Sequence, residues 1–505
     1  MSVRADHVLA LDQGTSSSRA IVFDRDARPI ASAQHELRST FPEPGWVEQD
    51  ADEIWHTQQR AGREALAAAG LTAADVAAIG ITNQRETTIA WDPASGRPLA
   101  PAIVWQDRRT ADRCASLRAS GIEPRVRART GLVLDPYFSA TKMAWLLDHL
   151  PDGRVRAADG AIRLGTVDAW LIDRMTGGRT FATDVSNACR TLLLDLASRT
   201  WSAEQLELFD VPKVALPAVR ATDGGFGLTD PEHFGGEIPI AAVVGDQQAA
   251  LFGQGCRSPG HAKNTYGTGC FLLEMTGSDA PAPPDGILAT VAWQREAPGS
   301  GDTAVAYALE GSVFVAGSAI RWLRDGLGII GGPDEVEALA ASVPDSGGVA
   351  FVPAFAGLGA PHWDPDARGT ISGMTAGTTS AHLARATLEA IAHQVVDLVE
   401  ALEAGGAPHL KVLRADGGAS SNDLLLQIQA DLLDRPVERA AVAETTALGA
   451  ALLAGRAVGV WTDDAELTHL VGIGARFEPA MTASRRAAER ARWADAVART
   501  RSRLA

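Results

Sequence analysis

The chain has 505 residues, of which 46% are apolar and 21% are charged, a balance that is ordinary for a water-soluble globular protein. Because 505 residues exceed what one hydrophobic core usually supports, we expect two large domains. The 46 basic and 62 acidic residues give a net charge of −16, which argues against nucleic acid or an anionic membrane as a partner.

The first predicted element is a hairpin whose turn is rich in polar groups. Apolar, β-like runs at 8–11 and 20–23 flank the segment Asp12-Gln13-Gly14-Thr15-Ser16-Ser17-Ser18-Arg19. Glycine lets the backbone approach a ligand, and exposed amides with hydroxyl groups can hold phosphate oxygens. The guanidinium of Arg19 suits phosphate, and Asp12 suits a metal ion held through water. A solvated hairpin turn explains this segment equally well, so the segment alone leaves both interpretations open.

Helices and strands alternate along the chain, which favours mixed or parallel sheets covered by helices. The clearest helical spacing lies at 51–69, where one face carries Ile54, Trp55, Gln58, Ala61 and Leu66. Strands are predicted at 76–82 and 87–91. Further helices are predicted at 140–150, 168–175, 246–253, 312–325 and 380–403.

Asp246 follows the strand-like run 240–244 and begins the predicted helix 246–253. Aspartate is among the best residues for capping a helix, and the sequence by itself favours that structural role. The stretch 253–262 that follows is small, polar and glycine-rich, which suits a hinge between domains. We therefore expect an N-terminal domain over 1–254 and a C-terminal domain over 255–505.

A second polar turn lies in the C-terminal half. The segment Asn264-Thr265-Tyr266-Gly267-Thr268-Gly269 precedes the apolar run 270–273, which again predicts strand, turn and strand. The Gly/Pro-rich interval 277–301 is expected to be a surface loop, and Gly311 is interpreted as the entry to helix 312–325.

A third glycine-rich segment, Val412-Leu413-Arg414-Ala415-Asp416-Gly417-Gly418-Ala419-Ser420-Ser421-Asn422, ends a predicted strand and begins a helix near Ser420 or Asn422. A nucleotide can lie against the small residues of such a helix start. The pattern is not that of a P-loop, because no glycine-lysine-serine/threonine follows at the required spacing.

Two phosphate-type hairpins in separate halves, followed by this strand–helix junction, resemble the ATPase fold that actin, hexokinase and the carbohydrate kinases share, specifically the glycerol kinase branch. The resemblance extends from about residue 8 to about residue 460. It is strongest in GITNQRETT at 80–88, AIVWQ at 102–106, GLVLDPYFS at 131–139 and GDQQAALFGQ at 245–254. It implies an α/β fold of two actin- or ribonuclease-H-like domains with a nucleotide cleft between them.

Carried onto the matching positions, the resemblance implies ATP as the nucleotide and Mg²⁺ as the metal ion. Asp12 would hold Mg²⁺ through water. The phosphates would lie against residues of both halves, namely Thr15, Ser16, Ser17, Arg19, Thr268 and Gly311. Gly418 and Asn422 would receive the adenosine end.

The resemblance also implies that glycerol is phosphorylated to sn-glycerol 3-phosphate, in glycerol catabolism, with Asp246 as the general base. The hydroxyl groups would be bound by Arg85, Glu86, Tyr137, Asp246 and Gln247. Trp105 and Phe271 would form an apolar wall for the carbon face. Without the resemblance, Arg85 and Glu86 are better interpreted as a surface ion pair, and the two aromatic residues as core.

Two other activities compete with this one. A related sugar or polyol kinase of the same fold is the nearest, although the Arg85–Glu86 pair, Trp105 and Tyr137 argue against a longer sugar, which needs a roomier site. An actin- or chaperone-like ATPase, which hydrolyses ATP without a polyol acceptor, is the alternative from another class.

The sequence also bears on where the protein is located and how it assembles. Met1 to His7 is polar and the apolar run after it is short, so no secretory signal is visible, and the Ala-rich region 445–461 does not resemble a membrane span. Cys114, Cys189, Cys256 and Cys270 show neither metal nor redox spacing, which favours free thiols in the cytoplasm. The resemblance implies a homodimer or homotetramer.

His233 is the basis of a hypothesis about regulation. In one branch of the family, a histidine ahead of phenylalanine and glycine accepts a phosphoryl group from the phosphocarrier protein of the sugar phosphotransferase system, and activity rises. This chain has His233-Phe234-Gly235, so His233 is a candidate acceptor on an exposed, mobile loop. Glu232 and Glu237 would repel an incoming phosphate, and a solvated loop histidine without a role is the favoured alternative.

Overall fold

The computed structural model describes residues 5–296, 303–364 and 366–502. The strands of these residues are β1 (His7–Gln13), β2 (Ser17–Phe23), β3 (Pro29–Glu36), β4 (Glu48–Gln49), β5 (Val76–Asn83), β6 (Thr88–Trp91), β7 (Ala102–Ile103), β8 (Arg163–Thr166), β9 (Ala182–Asp184), β10 (Leu194–Asp195), β11 (Thr200–Trp201), β12 (Ala218–Arg220), β13 (Ile240–Gly245), β14 (His261–Tyr266), β15 (Cys270–Gly277), β16 (Leu288–Glu296), β17 (Thr303–Val313), β18 (Ala350–Val352), β19 (Thr370–Ser372), β20 (Val412–Asp416), β21 (Val437–Ala440) and β22 (Ile473–Phe477).

The α-helices of the same residues are α1 (Ala51–Ala69), α2 (Ala111–Ala119), α3 (Glu123–Thr130), α4 (Ser139–His149), α5 (Gly153–Ala158), α6 (Val167–Met175), α7 (Val185–Ala188), α8 (Ala203–Phe209), α9 (Pro231–Phe234), α10 (Asp246–Gly253), α11 (Gly317–Asp325), α12 (Glu335–Ala341), α13 (Ser380–Ala404), α14 (Asp423–Leu433), α15 (Thr445–Ala457), α16 (Asp464–Leu470) and α17 (Ala483–Thr500). Short 3₁₀ turns occupy Ala73–Asp75, Lys213–Ala215 and Gly418–Ser421.

The first large sheet has the strand order β3–β2–β1–β5–β13. β1 and β2 form the predicted antiparallel hairpin, and β5 and β13 continue the sheet parallel to β1. Leu9 and Leu11 pack toward α1 and α6, whereas Val8 and Ala10 pack toward α10 and α15. Because both faces are covered, the central strands β1, β5 and β13 are mostly apolar rather than alternating, whereas the edge strand β3 alternates.

The second large sheet repeats this order as β17–β15–β14–β20–β21, with β16 and β22 added at its edges. β14 and β15 form the second predicted hairpin, and β20 and β21 run parallel to β14. The expected α/β fold with two related sheets is therefore confirmed. The repetition puts the turns 14–16 and 267–269 at equivalent positions of the two sheets, each at the end of the first strand.

The helices predicted at 51–69, 140–150, 168–175, 246–253 and 380–403 are confirmed to within a residue or two. Two other predictions are wrong. β16 lies inside the interval 277–301 that was expected to be a loop, and the last five residues of that interval lie outside the described residues. β17 continues to Val313, so Gly311 is a strand residue and the helix begins only at Gly317. β16 is buried on both faces from Leu288 to Trp293 and so lacks the alternation that marks a strand.

α10 and α15 cross almost backbone to backbone. A Cβ atom on Gly449 would lie 1.9 Å from the carbonyl oxygen of Ala249, and one on Gly253 would lie 2.0 Å from that of Thr445. Gly80 of β5 meets the carbonyl of Ala450 in the same way, at 2.3 Å. Only glycine permits this approach, so the three glycines allow α15 to pack directly against α10 and β5. α15 thus comes from the second half of the chain but covers the first sheet.

Among the residues that the structure describes, none of the helices combines the length and hydropathy that a membrane crossing requires. The four cysteines are buried and form no disulfide, as predicted.

Candidate active site

A cluster of four charged side chains lies at the junction of the two halves: Arg85, Glu86, Arg190 and Glu310, each at most 2% exposed. We call it the buried charge cluster. Glu310 accepts from both terminal nitrogens of Arg85, at 2.6 and 3.1 Å, and from Nη2 of Arg190 at 2.9 Å. Nε of Arg190 donates to Oε1 of Glu86 at 2.7 Å. The two arginines and the two glutamates are therefore paired with one another, the condition under which buried charges are tolerated.

The electrostatics of the cluster differ between its two carboxylates. Burial alone would raise the pKa of Glu310, but Arg190 and Arg85 outweigh it and lower that pKa to about 2. Burial raises the pKa of Glu86 above its usual value, and the two arginines reverse this only in part. Glu310 is thus the ionised partner that holds the arginines in place, while Glu86 retains an oxygen, Oε2, for another group.

Asp246 is the first residue of α10 and stands at the edge of the cluster. Its Oδ1 lies 3.4 Å from Nε of Arg85, and its side chain is 32% exposed. Gly245, not Asp246, occupies the N-cap position, and within the described residues the one hydrogen bond to the Asp246 carboxylate comes from the neighbouring Gln247 amide, at 2.6 Å. The capping interpretation of Asp246 is therefore wrong, and the carboxylate is available to a ligand.

Tyr137 and Trp105 line the same place from the first half. The Tyr137 hydroxyl lies 3.5 Å from Nη2 of Arg85, and its ring meets that of Trp105 edge to face at 5.6 Å between centroids. The Trp105 indole nitrogen donates to Oγ1 of Thr15, at 2.9 Å, which ties this wall to the first turn. Phe271 is half-buried and lies on β15, opposite Thr265. Among the described aromatic contacts, the ring of Trp105 meets that of Tyr137 and not that of Phe271.

Asp12 lies at the end of β1, close to other carboxylates. Burial raises the pKa of Asp12 to about 7; Arg19 opposes this, while the charges of Asp246 and Glu444 add to it. A divalent cation would favour the ionised carboxylate and relieve the repulsion, so Asp12 fits the Mg²⁺ predicted for it. In the described part of the chain no three acidic, histidine or cysteine side chains form a complete metal site. Water and phosphate oxygens would supply the remaining ligands, as is usual for Mg²⁺.

The first turn is held by hydrogen bonds within the protein. The Gly14 amide donates to the carbonyl of Ser17 at 2.9 Å, which closes the turn, and the exposed Ser16 stands at its tip. Ser17 accepts from Gln34 at 2.9 Å. Arg19 forms an ion pair with Glu444, just ahead of α15, so its guanidinium has a carboxylate partner from the other half.

A cavity of about 450 Å³ opens beside the second turn. Its lining includes Thr268, Gly418 and Asn422, three residues predicted to meet the nucleotide. A Cβ atom on Gly418 would have no neighbour within 4 Å, so this glycine faces open space. Asn422 caps α14 through its Oδ1, which accepts from the Leu425 amide at 2.8 Å.

Gly311 does not line this cavity. It pairs with Leu272 in the sheet, and a Cβ atom there would meet Leu398 of α13 at 2.8 Å. Gly317, at the start of α11, lines the cavity instead, and its amide donates to the carbonyl of Gly267 at 2.9 Å. The contact of Gly311 with the phosphates, which the family resemblance implies, stays a prediction.

His233 is neither exposed nor on an open loop, which corrects the expectation stated for it. It lies in α9, where Nδ1 bonds Gln59 at 2.9 Å and Nε2 bonds the carbonyl of Arg174 at 3.0 Å. Its ring packs edge to face on Trp55, and burial lowers its pKa. Both ring nitrogens are therefore already engaged.

Sequence reasoning missed four residues of this site. Glu310 and Lys263 stand directly before motifs that were recognised, so their position was a usable signal. Arg190 and Arg321, which lines the cavity and donates to Thr268 at 3.1 Å, carry no local signal. Their roles follow from contacts between distant segments.

Family models match both halves of the chain. The N-terminal domain of the FGGY family of carbohydrate kinases matches residues 7–253, and the C-terminal domain of that family matches residues 262–458. Together these matches cover most of the chain.

Comparisons with individual proteins agree with the two family models. The chain is 56% identical to a protein of Trichlorobacter lovleyi named glycerol kinase, over 98% of both chains, and 55% identical to one of Methylibium petroleiphilum with the same name, over 98% of this chain and 99% of the other. It superposes on Plasmodium falciparum glycerol kinase with ADP at a TM-score of 0.93, with 35% identity over 99% of both chains. A xylulose kinase from Rhodospirillum rubrum matches at 0.84, with 26% identity over 97% of this chain and 98% of that one. With two matching domain models and relatives of such identity, the chain belongs to the FGGY family of carbohydrate kinases.

Proposed function

We propose that this chain catalyses ATP-dependent phosphorylation of glycerol, giving sn-glycerol 3-phosphate and ADP. The observation that carries the proposal is the partly exposed carboxylate of Asp246 beside the buried charge cluster, at the junction of two halves that each supply a phosphate-type turn. Relatives named glycerol kinase, 51–56% identical over nearly the whole chain, support the choice of glycerol.

Glycerol needs hydroxyl partners on one side and an apolar surface on the other. Arg85 supplies donors and Glu86 an acceptor, because one oxygen of Glu86 is free of Arg190. Tyr137, Asp246 and Gln247 complete the polar set, and Trp105 and Phe271 face the carbon chain. The charge cluster fixes Arg85 and Glu86 before the substrate arrives, so these side chains lose little conformational entropy when glycerol binds.

Phosphoryl transfer needs mainly positioning and neutralisation of charge. In this proposal the terminal hydroxyl of glycerol gives its proton to Asp246 while its oxygen attacks the γ-phosphorus in line with the departing ADP. Mg²⁺, held by Asp12 through water, would neutralise charge on the phosphates. Thr15, Ser16, Ser17, Arg19 and Thr268 hold the phosphate chain, and Gly418 and Asn422 receive the adenosine end.

A related sugar or polyol kinase is the alternative, since a xylulose kinase shares the fold at 26% identity. A coupled assay of ADP release with glycerol, dihydroxyacetone, xylulose and gluconate decides between them. We expect the highest kcat/KM with glycerol. A preference for xylulose or gluconate would contradict the proposal, and rapid ADP release without any acceptor would indicate an ATPase.

We predict that ATP and glycerol together compact the molecule. The phosphate-type turns belong to different sheets, with a domain boundary that we place near residue 254, and neither turn alone can surround the phosphates. Closure about the α10–α15 crossing brings the turns together and keeps water from the γ-phosphate. Small-angle scattering on the Asp246→Asn protein, which should bind without turnover, measures the radius of gyration with and without ligands. An unchanged radius at proven saturation would contradict closure.

The phosphocarrier hypothesis predicts a phosphohistidine at His233, and the geometry argues against it. A phosphoryl group on either ring nitrogen would displace Gln59 or the Arg174 carbonyl. We expect no acid-labile label on His233 after incubation with phosphoenolpyruvate and the two general phosphotransferase proteins, followed by mass spectrometry. A known phosphocarrier substrate run in parallel controls for donor activity. A label on His233 together with faster glycerol turnover would restore the hypothesis.

A homodimer or homotetramer and a cytoplasmic location belong to the same proposal and rest on the family resemblance. Sedimentation velocity at assay concentrations distinguishes the two assemblies from a monomer.

A further inference from the structure

Lys263 has no role in the reaction as proposed so far, yet its ammonium group contacts Gln247, one of the proposed glycerol-binding residues. The residue is fully buried in β14, of the second sheet. Its Nζ donates to Oε1 of Gln247 on α10 and, at 2.9 Å, to Oγ1 of Thr265. Burial lowers the pKa of Lys263, and the carboxylates of Asp416, Asp246 and Glu310 oppose that effect. Lysine is almost never buried so completely unless its charge is paired.

The chemistry of the contact fixes the orientation of Gln247. An ammonium group has three donors and no acceptor, so it can bond only the oxygen of a glutamine amide. The NH₂ group of Gln247 must then point elsewhere. The Gln247 side chain is partly exposed and follows Asp246 at the start of α10, so its NH₂ group can reach the place proposed for the acceptor. The lysine thereby decides that Gln247 presents a donor, not an acceptor, to the substrate.

We propose that Lys263 is a positioning residue for the reaction: it holds the Gln247 amide in the one orientation that donates to a substrate hydroxyl oxygen. This inference rests on the proposed role of Gln247 in binding the acceptor. It adds a link between the halves, because Lys263 belongs to the sheet that carries the second phosphate turn and Gln247 to the helix that carries Asp246.

A double-mutant cycle tests the proposal. The four proteins are the wild type, Lys263→Met, Gln247→Leu and the double variant, and the KM for glycerol and kcat are measured for each. We expect each single change to raise the KM for glycerol about tenfold, as for loss of a hydrogen bond to a charged group. The double variant should show no further rise, because Lys263 acts only through Gln247. Multiplication of the two effects to about a hundredfold would overturn the proposal.

Lys142 provides the matched control. It is equally buried, and its Nζ donates to the carbonyl of Tyr137 at 2.7 Å, on the other wall of the site. Lys142→Met should therefore combine multiplicatively with Gln247→Leu, which separates the specific coupling from the general effect of removing a buried lysine. If Lys263→Met fails to fold, Lys263→Gln replaces it in the cycle.

The cycle also separates this inference from the proposed function. If the wild type phosphorylates another polyol and not glycerol, the glycerol proposal fails. The same cycle on that polyol then still tests Lys263, because the orientation argument requires only a hydroxyl facing Gln247.

Discussion

Asparagine at position 246 should remove nearly all turnover while leaving glycerol binding almost intact. The amide keeps the shape of the carboxylate and can still accept from the Gln247 amide, but it cannot take up a proton. Loss of a general base costs on the order of 100- to 10,000-fold in rate. Coupled ADP release gives kcat, and calorimetric titration of glycerol gives the dissociation constant.

The structure supplies the control for this prediction. Asp50 caps α1 by accepting from the Asp52 amide at 2.8 Å and is exposed. Asp50→Asn should leave kcat unchanged, because asparagine caps helices about as well as aspartate. Near-normal turnover of Asp246→Asn would show that Asp246 is not the base.

The second large effect is expected for Glu310→Gln, which removes one of the two negative charges of the buried charge cluster. Glu86 would then be the one carboxylate left within the buried charge cluster, and breaking a buried ion pair costs about 3–5 kcal/mol of unfolding free energy. Because Arg85 loses its two-nitrogen contact, kcat/KM for glycerol should fall as well. Thermal unfolding and steady-state kinetics measure the two effects.

The pH dependence of this loss has a definite sign. The pKa of Glu310 in the folded protein, about 2, lies below its ordinary value of 4.5. Its contribution to stability is therefore complete above pH 4.5 and declines as the pH falls toward 2. The stability gap between wild type and Glu310→Gln should be constant near neutral pH and narrow only in acid.

Glu438 offers a matched control for Glu310. It is also buried between two arginines, accepting from Nε of Arg414 at 3.0 Å and Nη1 of Arg476 at 2.6 Å, but it lies outside the site. Glu438→Gln should lower the unfolding temperature and leave kcat/KM for glycerol nearly unchanged. Equal kinetic losses in both variants would mean that Glu310 acts on stability alone.

The sequence predicted those parts of the fold that have a local cause. Both hairpins and the helix at 51–69 follow from apolar periodicity and turn chemistry, which neighbouring residues determine. The strand β16 was missed because its apolar residues do not alternate, and the helix predicted at 312–325 began too early because Glu310 and Gly311 resemble a helix entry. A buried glutamate in a strand is stable only when Arg85 and Arg190 reach it, and that contact joins segments more than 100 residues apart.

The residues of the candidate site also differ in whether a local pattern or a long-range contact determines their position. Asp12, Thr15, Asp246 and Gly418 stand near strand ends, in turns or at helix starts, and the family motifs at these positions, not the local pattern alone, predict their roles. The position of Arg190 depends on how the two sheets meet, which periodicity cannot reveal. His233 shows the opposite error: its neighbours resemble an exposed loop, but packing against Trp55 and Gln59 fixes the ring.

The glycine crossing of α10 and α15 limits how this protein can be rebuilt. A chimaera that joins residues 1–254 of one relative to the remainder of another places α10 and α15 from different parents in contact. At Gly253 and Gly449 even a methyl group would overlap a carbonyl oxygen, so any parental difference there must be matched by a shift of the opposite helix. A fragment ending at 254 would leave the face of the first sheet that α15 covers open to water. Despite its two repeated sheets, the enzyme is therefore not a pair of exchangeable modules. Recombination will succeed only where α10 and α15 come from the same parent.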